Sequence, residues 1–156
     1  MKKVLAILMI TNFMWACSNH KHSEHNDATD STAVKHPEHE TNAEELVLND
    51  GVKWKADNST DKNVENLLTI INAFNNGTDK SLAAYIKAAD DLQKGLDKMI
   101  SECKMQGPDH DALHKWLMPL MGQVKELKQV SNETDAAKSF QAIGEHVNLF
   151  SQYFEQ

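Results

Sequence analysis

The chain of 156 residues has 16 lysines, no arginine and 23 acidic residues, which gives a net charge of −7 at pH 7. A protein that binds nucleic acid needs a basic face, usually with arginine for bidentate contacts, so this composition excludes that class of partner. The residues with the most distinctive chemistry are eight histidines and the two cysteines, Cys17 and Cys103.

The first sixteen residues, MKKVLAILMITNFMWA, have the layout of a secretory signal peptide. Lys2 and Lys3 form a positive start, and the apolar run after them is shorter than the ~20 residues that a membrane-spanning helix needs. The tetrapeptide MWAC, which ends at Cys17, is similar to a bacterial lipobox, where cleavage precedes a cysteine that receives a diacylglyceryl group. We therefore predict a signal peptide at 1–16 and lipidation of Cys17. The alternative is an ordinary signal peptide followed by an incidental cysteine.

Lipidation of Cys17 would leave Cys103 without a partner for an intramolecular disulfide. Residues 17–43 are predicted to be a disordered tether, since one valine and no aromatic residue cannot bury enough surface to offset the entropy of ordering. The segment mixes imidazoles with carboxylates, and neutral imidazole is a common ligand for Zn²⁺ and Cu²⁺. The tether could capture metal weakly or act only as a solvated spacer, and both interpretations stay open. Its histidines are His20, His22, His25, His36 and His39.

Residues 44–156 are predicted to form an all-α fold, an antiparallel four-helix bundle preceded by a short β-hairpin. The segment LVLNDGVKW has Asp50-Gly51 between two short runs of alternating apolar residues, and such a pair favours a tight hairpin turn. Four later segments repeat apolar residues at spacings of three and four, which indicates amphipathic helices. Because the connections between them are short, neighbouring helices should run antiparallel.

The expected helix ends follow from capping residues. Helix 1 should cover residues 60–76, with Ser59 or Thr60 as its cap and Gly77 at its end. Helix 2 should begin near residue 78 and keep one apolar register as far as Cys103. A Gly-Pro pair at 107–108 should separate it from helix 3, which contains a proline at 119 that should kink it. Helix 4 should follow residues 131–134 and carry its apolar face to residue 154.

The stretch CKMQGPDHDALHKW contains the strongest candidates for a metal site in the bundle. His110 and His114 are four residues apart, so one helix face should present both imidazoles to a single ion. Up-down topology should bring Cys103 and His146 to the same end of the bundle. Imidazoles with a thiolate suit Zn²⁺, and soft sulfur ligands suit Cu⁺. The predicted metal ligands are therefore His110, His114, Cys103 and His146.

Each of these residues also has an ordinary structural interpretation. Cys103 could be a small core residue of helix 2, and His146 a half-exposed hydrogen-bonding side chain. Met118 and Met121 continue the histidine stripe of helix 3 and could be packing residues beside its proline. For the pair His110 and His114, the spacing and the nearby thiol favour a functional role slightly.

The lipobox, the segment LNDGVKWK and the stretch ECKMQGPDHDALHKWL resemble small, largely uncharacterised envelope lipoproteins of Bacteroidota. The specific part is the motif C-x-M-x-G-x-x-H-D-x-L-H-x-W-L, and the similarity covers the signal and residues 46–156. The resemblance implies location and architecture, and it implies no activity. Lipoproteins of that group that reach the cell surface carry acidic residues soon after the lipidated cysteine. Here the sequence SNHK follows Cys17, which favours an outer-membrane anchor that faces the periplasm.

These observations predict a lipid-anchored protein that binds or buffers copper or zinc through the tether and the bundle. The alternative is a non-metal envelope module that binds a protein partner or is structural. Haem is not expected, because helix 1 contains neither methionine nor histidine and the chain has no C-x-x-C-H motif. An enzyme is not expected either, since no triad, phosphate loop or paired carboxylates in a cleft can be recognised.

Overall fold

A computed structural model describes residues 45–155 of the chain. The predicted signal peptide at 1–16, Cys17 and the five tether histidines lie outside the described residues. Four helices make up most of the described part, and two strands of two residues each flank them. The elements are β1 (Trp54–Lys55), α1 (Asn58–Asn76), α2 (Leu82–Glu102), α3 (Gly107–Leu127), α4 (Glu133–Tyr153) and β2 (Phe154–Glu155).

The four helices form a closed bundle, which confirms the predicted all-α fold class. Helices that follow each other in the chain pack together, and α1 also packs on α4. A helix of 21 residues is about 30 Å long, so the short connections can only reverse the chain direction from one helix to the next. Their apolar faces meet in one core, and the largest fully buried side chains include Trp116, Phe150, Leu67, Leu92 and Met99.

The helix ends lie close to the predicted positions, but different residues cap two of the helices. Asp57 caps α1 in place of Ser59 or Thr60, and Ser81 caps α2, which therefore begins later than expected. Gly77 ends α1 as predicted. Pro119 lies inside α3 with an exposed ring, and α3 continues past it to Leu127.

The predicted β-hairpin is wrong apart from its turn. Asp50 and Gly51 both have positive φ, 49° and 85°, and Asn49 and Val52 exchange two backbone hydrogen bonds of 2.9 Å. No antiparallel strands extend from this turn in the described part of the chain. Instead, β1 pairs in parallel with β2, with Trp54 opposite Phe154.

Burial of the Phe154 side chain explains the pairing of β1 with β2. Phe154 was expected to continue the apolar face of helix 4, but it follows the helix in an extended conformation. Its ring stacks on Phe150 with centroids 4.5 Å apart and is fully buried. Burial of that ring brings the adjacent backbone beside β1, where Lys53 Nζ also donates to the carbonyl of Ser151 over 2.7 Å.

Candidate functional site

The first turn of α3 is held in place by its neighbours. Gly107 has a φ of +66°, a value that favours glycine, and Pro108 occupies the first turn of the helix, where its missing N–H costs nothing. Asp109 Oδ1 accepts a 3.0 Å hydrogen bond from the backbone N–H of Lys55 in β1. The histidine that follows therefore projects from a helix start that is tied to the small sheet.

His110 and His114 meet on the surface of α3, as their spacing predicted. Their Nε2 atoms are 3.1 Å apart, and the rings lie edge to face with centroids separated by 4.5 Å. One imidazole must donate its Nε2–H to the Nε2 lone pair of the other. His110 is half-buried and His114 is exposed, so the two nitrogens can be reached from solvent.

The distance between the two nitrogens suits a shared metal ion. With Zn–N bonds of about 2.0–2.1 Å, a separation of 3.1 Å corresponds to an N–Zn–N angle of roughly 100°. A tetrahedral ion needs about 109° and a square-planar ion about 90°, so a shift of a few tenths of an ångström fits either geometry. The separation is therefore compatible with one shared ion once the proton has left the Nε2–H and both rings direct their Nε2 lone pairs towards that ion.

Cys103 lies where α2 meets the connection to α3. Helix α2 ends at Glu102, and Cys103 is the residue after it, with φ −62° and ψ 130°. Its backbone N–H closes the last turn on the carbonyl of Met99 over 2.9 Å. The side chain is partly buried against the core, as is that of Met105 two residues later. Cys103 thus caps α2, and its side chain lies at the edge of the core, in the apolar register that was predicted for it.

His146 makes contacts of its own, away from the other predicted ligands. Its Nε2–H donates to the carbonyl of Trp116 over 2.8 Å, and Trp116 Nε1–H donates to the carbonyl of His146 over 3.1 Å. The two residues form a reciprocal clamp between α3 and α4. Because Nε2 of His146 is engaged with the Trp116 carbonyl, the structure gives His146 the hydrogen-bonding role that was its ordinary structural interpretation.

Two of the four predicted ligands are therefore brought together. Within residues 45–155, no group of three or more His, Cys, Asp or Glu side chains is placed to hold a metal ion. The pair His110 and His114 offers two imidazole nitrogens. Met118, one turn further along α3, is 56% exposed, so the packing interpretation of this residue is wrong, whereas Met121 packs partly on the core.

A polar junction around Asp57 was missed by the sequence reasoning. One carboxylate oxygen accepts from the Thr60 N–H over 2.7 Å, and the other accepts from the Lys104 N–H over 2.8 Å. Burial raises the pKa of this carboxyl, but the hydrogen bonds from Thr60, Lys104 and Ser59 lower it more strongly, to about 2 from 3.8. Asp57 therefore joins the start of α1 to the connection that precedes the histidine pair.

Side chains of α1 strengthen the same junction. Asn63 is almost fully buried, and its amide donates to the carbonyl of Ser59 and to the carboxylate of Glu102, over 2.8 and 2.9 Å. Thr60 Oγ1–H donates to Met105 Sδ over 3.6 Å. All four residues of the segment DNST are possible caps, and only tertiary contacts decide among them.

A groove between α1 and α4 contains none of the predicted site residues. It has a volume of about 390 Å³, with the rings of Phe74, Tyr85 and Phe140 among its lining side chains. Lys80 Nζ lies 4.3 Å from the centroid of the Phe74 ring at its rim. Tyr85 and Phe140 are themselves buried, so the groove presents mainly amide and charged groups to solvent.

Comparison with known proteins gave no match to this chain among protein-family models, curated proteins or solved structures. The resemblance to Bacteroidota envelope lipoproteins therefore stays a prediction. Among the helices that the structure describes, none combines the length and the apolar character that crossing a bilayer requires.

Proposed function

We propose that this protein is lipid-anchored through Cys17, faces the periplasm from the outer membrane, and binds or buffers copper or zinc. The histidine pair of α3 provides a half-site, that is, two of the ligands that an ion needs. The histidines of residues 17–43, the predicted tether, provide a second source of ligands. The 3.1 Å separation of the Nε2 atoms of His110 and His114 is the observation that supports metal binding. The anchor and the location rest on the signal sequence and the MWAC tetrapeptide.

The chemistry of the half-site favours an exchangeable ion. Two neutral imidazoles are suitable ligands for Zn²⁺ or Cu²⁺, and the other coordination positions stay open to water or to other ligands. An open and partly exposed site releases its ion more readily than a closed site with four protein ligands. This behaviour suits a buffer, and the proposal includes no catalytic step.

The proposal is tested by calorimetric titration of the chain from residue 18 onward, which lacks the signal peptide and Cys17. The titrants are Zn²⁺, Cu²⁺ and Cu⁺. Replacement of the five tether histidines by asparagine leaves the bundle site as the main source of ligands. In that background we expect saturable binding that His110→Asn and His114→Asn each abolish. No saturable binding, or binding that both substitutions leave unchanged, would remove the bundle site.

A matched control keeps the amino-acid composition constant. In the double variant His114→Gln and Gln129→His, the second imidazole moves to the exposed residue Gln129 beyond the end of α3. The two histidines are then separated by the length of the helix, about 28 Å, and cannot share an ion. We expect this variant to bind as poorly as the variants that lack one histidine.

An alternative function is a metal-independent module that binds an envelope protein. The observation in its favour is a group of exposed apolar side chains at the turn before β1: Val47, Leu48 and Val52 are 57%, 39% and 59% exposed. A partner recovered in pulldown experiments with and without chelator, and lost when Val47 and Val52 are replaced by serine, would support this alternative.

A further inference from the structure

We propose that one metal ion joins two copies of this chain by binding the His110 and His114 pair of each copy. The inference rests on the proposed function, because it requires that the pair binds metal. It adds a partner, namely a second copy of the chain, and a reason for the exposed surface on which the pair lies.

The first argument is the number of ligands. A protein-bound Zn²⁺ ion prefers four ligands in a tetrahedral arrangement, and the pair supplies two. No third His, Cys, Asp or Glu side chain within the described residues completes the site. A second copy that presents the same pair supplies two more imidazoles at a matching angle, and a twofold axis through the ion makes the two half-sites equivalent.

The second argument is the surface next to the pair. Residues His110, His114 and Met118 are spaced four apart on α3 and form one stripe, which we call the α3 stripe. Met118 is 56% exposed, so its thioether side chain lies at the surface of α3 next to the histidine pair. When two α3 stripes cross at a shared ion, each methionine can pack against the facing helix.

The third argument is charge. The whole chain carries −7, and the loss of Lys2 and Lys3 with the signal peptide changes this to −9. Two such chains repel each other, and a divalent cation between them offsets part of that repulsion. Association should therefore depend on metal, with monomers in chelator and dimers in the presence of Zn²⁺.

The test is sedimentation equilibrium of the chain from residue 18 onward, which lacks the signal peptide and Cys17. Cys103→Ser is included to prevent disulfide-linked dimers. The probe is Zn²⁺ alone, compared with the same sample in excess chelator. We expect the monomer mass in chelator and twice that mass with Zn²⁺, in the chain with its natural tether and in the chain with the five tether histidines changed to asparagine. In the second chain, bound zinc should amount to one ion for every two chains.

Variants connect the dimer to the α3 stripe. His110→Asn should leave the mass monomeric with Zn²⁺, and so should the double variant His114→Gln with Gln129→His. Met118→Ser should still bind zinc but should need a several-fold higher protein concentration to dimerise. Dimers that form in the histidine variants would overturn the proposal, because the ion would then act elsewhere.

Two results separate this inference from the proposed function. A chain that binds one zinc ion per monomer at the pair and stays monomeric would overturn the bridged dimer and leave metal binding intact. A chain without tether histidines that binds no zinc at all would overturn both the bridged dimer and the zinc site of the bundle.

Discussion

Asp57 should contribute more to the stability of the bundle than any other surface carboxylate, and Asp57→Ala measures that contribution. The substitution removes the N-cap of α1, which costs about 0.5–2 kcal/mol. It also removes the acceptor for the Lys104 N–H, a loss of about 0.5–1 kcal/mol because solvent can partly replace the carboxylate. We expect a total of about 2 kcal/mol, which for a domain of this size lowers Tm by roughly 8 °C.

The effect should depend on pH in a defined direction. The pKa of Asp57 is about 2 in the folded protein and 3.8 in the unfolded chain. A carboxyl whose pKa is lower in the folded state stabilises the protein above pH 3.8, and this contribution is lost as the pH falls towards 2. The full shift corresponds to about 2.4 kcal/mol, but the carboxyl is largely open to solvent, so about 1 kcal/mol is the expected contribution.

The assay is urea unfolding of the wild type, Asp57→Ala and Asp57→Asn at several pH values between 2 and 7. Asparagine can still cap α1 but repels the Lys104 N–H with its own amide, so this variant should lose about 1 kcal/mol and the pH-dependent part of the difference. Asp97→Ala is the control, since that exposed carboxylate accepts a hydrogen bond from Gln93 of its own helix and its loss should cost less than about 0.5 kcal/mol. Equal losses for Asp57→Ala and Asp97→Ala would refute the reasoning, as would a difference between Asp57→Asn and the wild type that is constant from pH 2 to 7.

Four further substitutions test the packing by urea unfolding. Gly95→Ala should destabilise the fold by about 1–3 kcal/mol, because the new Cβ would lie 2.7 Å from Leu67 Cδ2 in the core. Gly122→Ala places its Cβ in open space and should stabilise α3 by about 0.5–1 kcal/mol. A gain of stability in Gly95→Ala would contradict the close approach. Phe154→Ala should cost about 3–5 kcal/mol and release the β1–β2 pairing, detected as faster hydrogen exchange at the amides of both strands. Trp116→Phe should cost about 2 kcal/mol by removing the indole N–H that donates to α4, and a neutral result would show that this hydrogen bond of the clamp contributes nothing.

The parts of the fold that could be predicted are those determined by local periodicity. The core registers of α1 and α3 alternate at three and four residues, and their members, such as Val64, Leu67, Leu113 and Leu120, are buried in the structure. The pair His110 and His114 was predictable for the same reason, since two residues one turn apart on a helix face always lie together.

The features that sequence reasoning missed depend on contacts between distant segments. Four neighbouring residues could have capped α1, and the choice of Asp57 follows from the Lys104 N–H, 47 residues away. The segments on either side of the Asp50-Gly51 turn do not continue as a hairpin. Burial of Phe154 places β2 beside β1, so β1 pairs with β2 instead. The periodicity of apolar residues and the conformational propensities of single residues do not reveal such long-range contacts.

The lack of information about long-range contacts also explains why the structure brings together two of the four predicted metal ligands. The rotation of α3 about its axis is determined by Trp116, which is buried and joined to α4 through two hydrogen bonds. His114 precedes it by two residues, or about 200° around the helix, so burial of the indole directs that imidazole away from the core. The clamp also holds the His146 imidazole against α3. Any further ligand for the pair must therefore approach from outside the bundle, and for that reason the oligomeric state with zinc is the measurement that connects this architecture to a function.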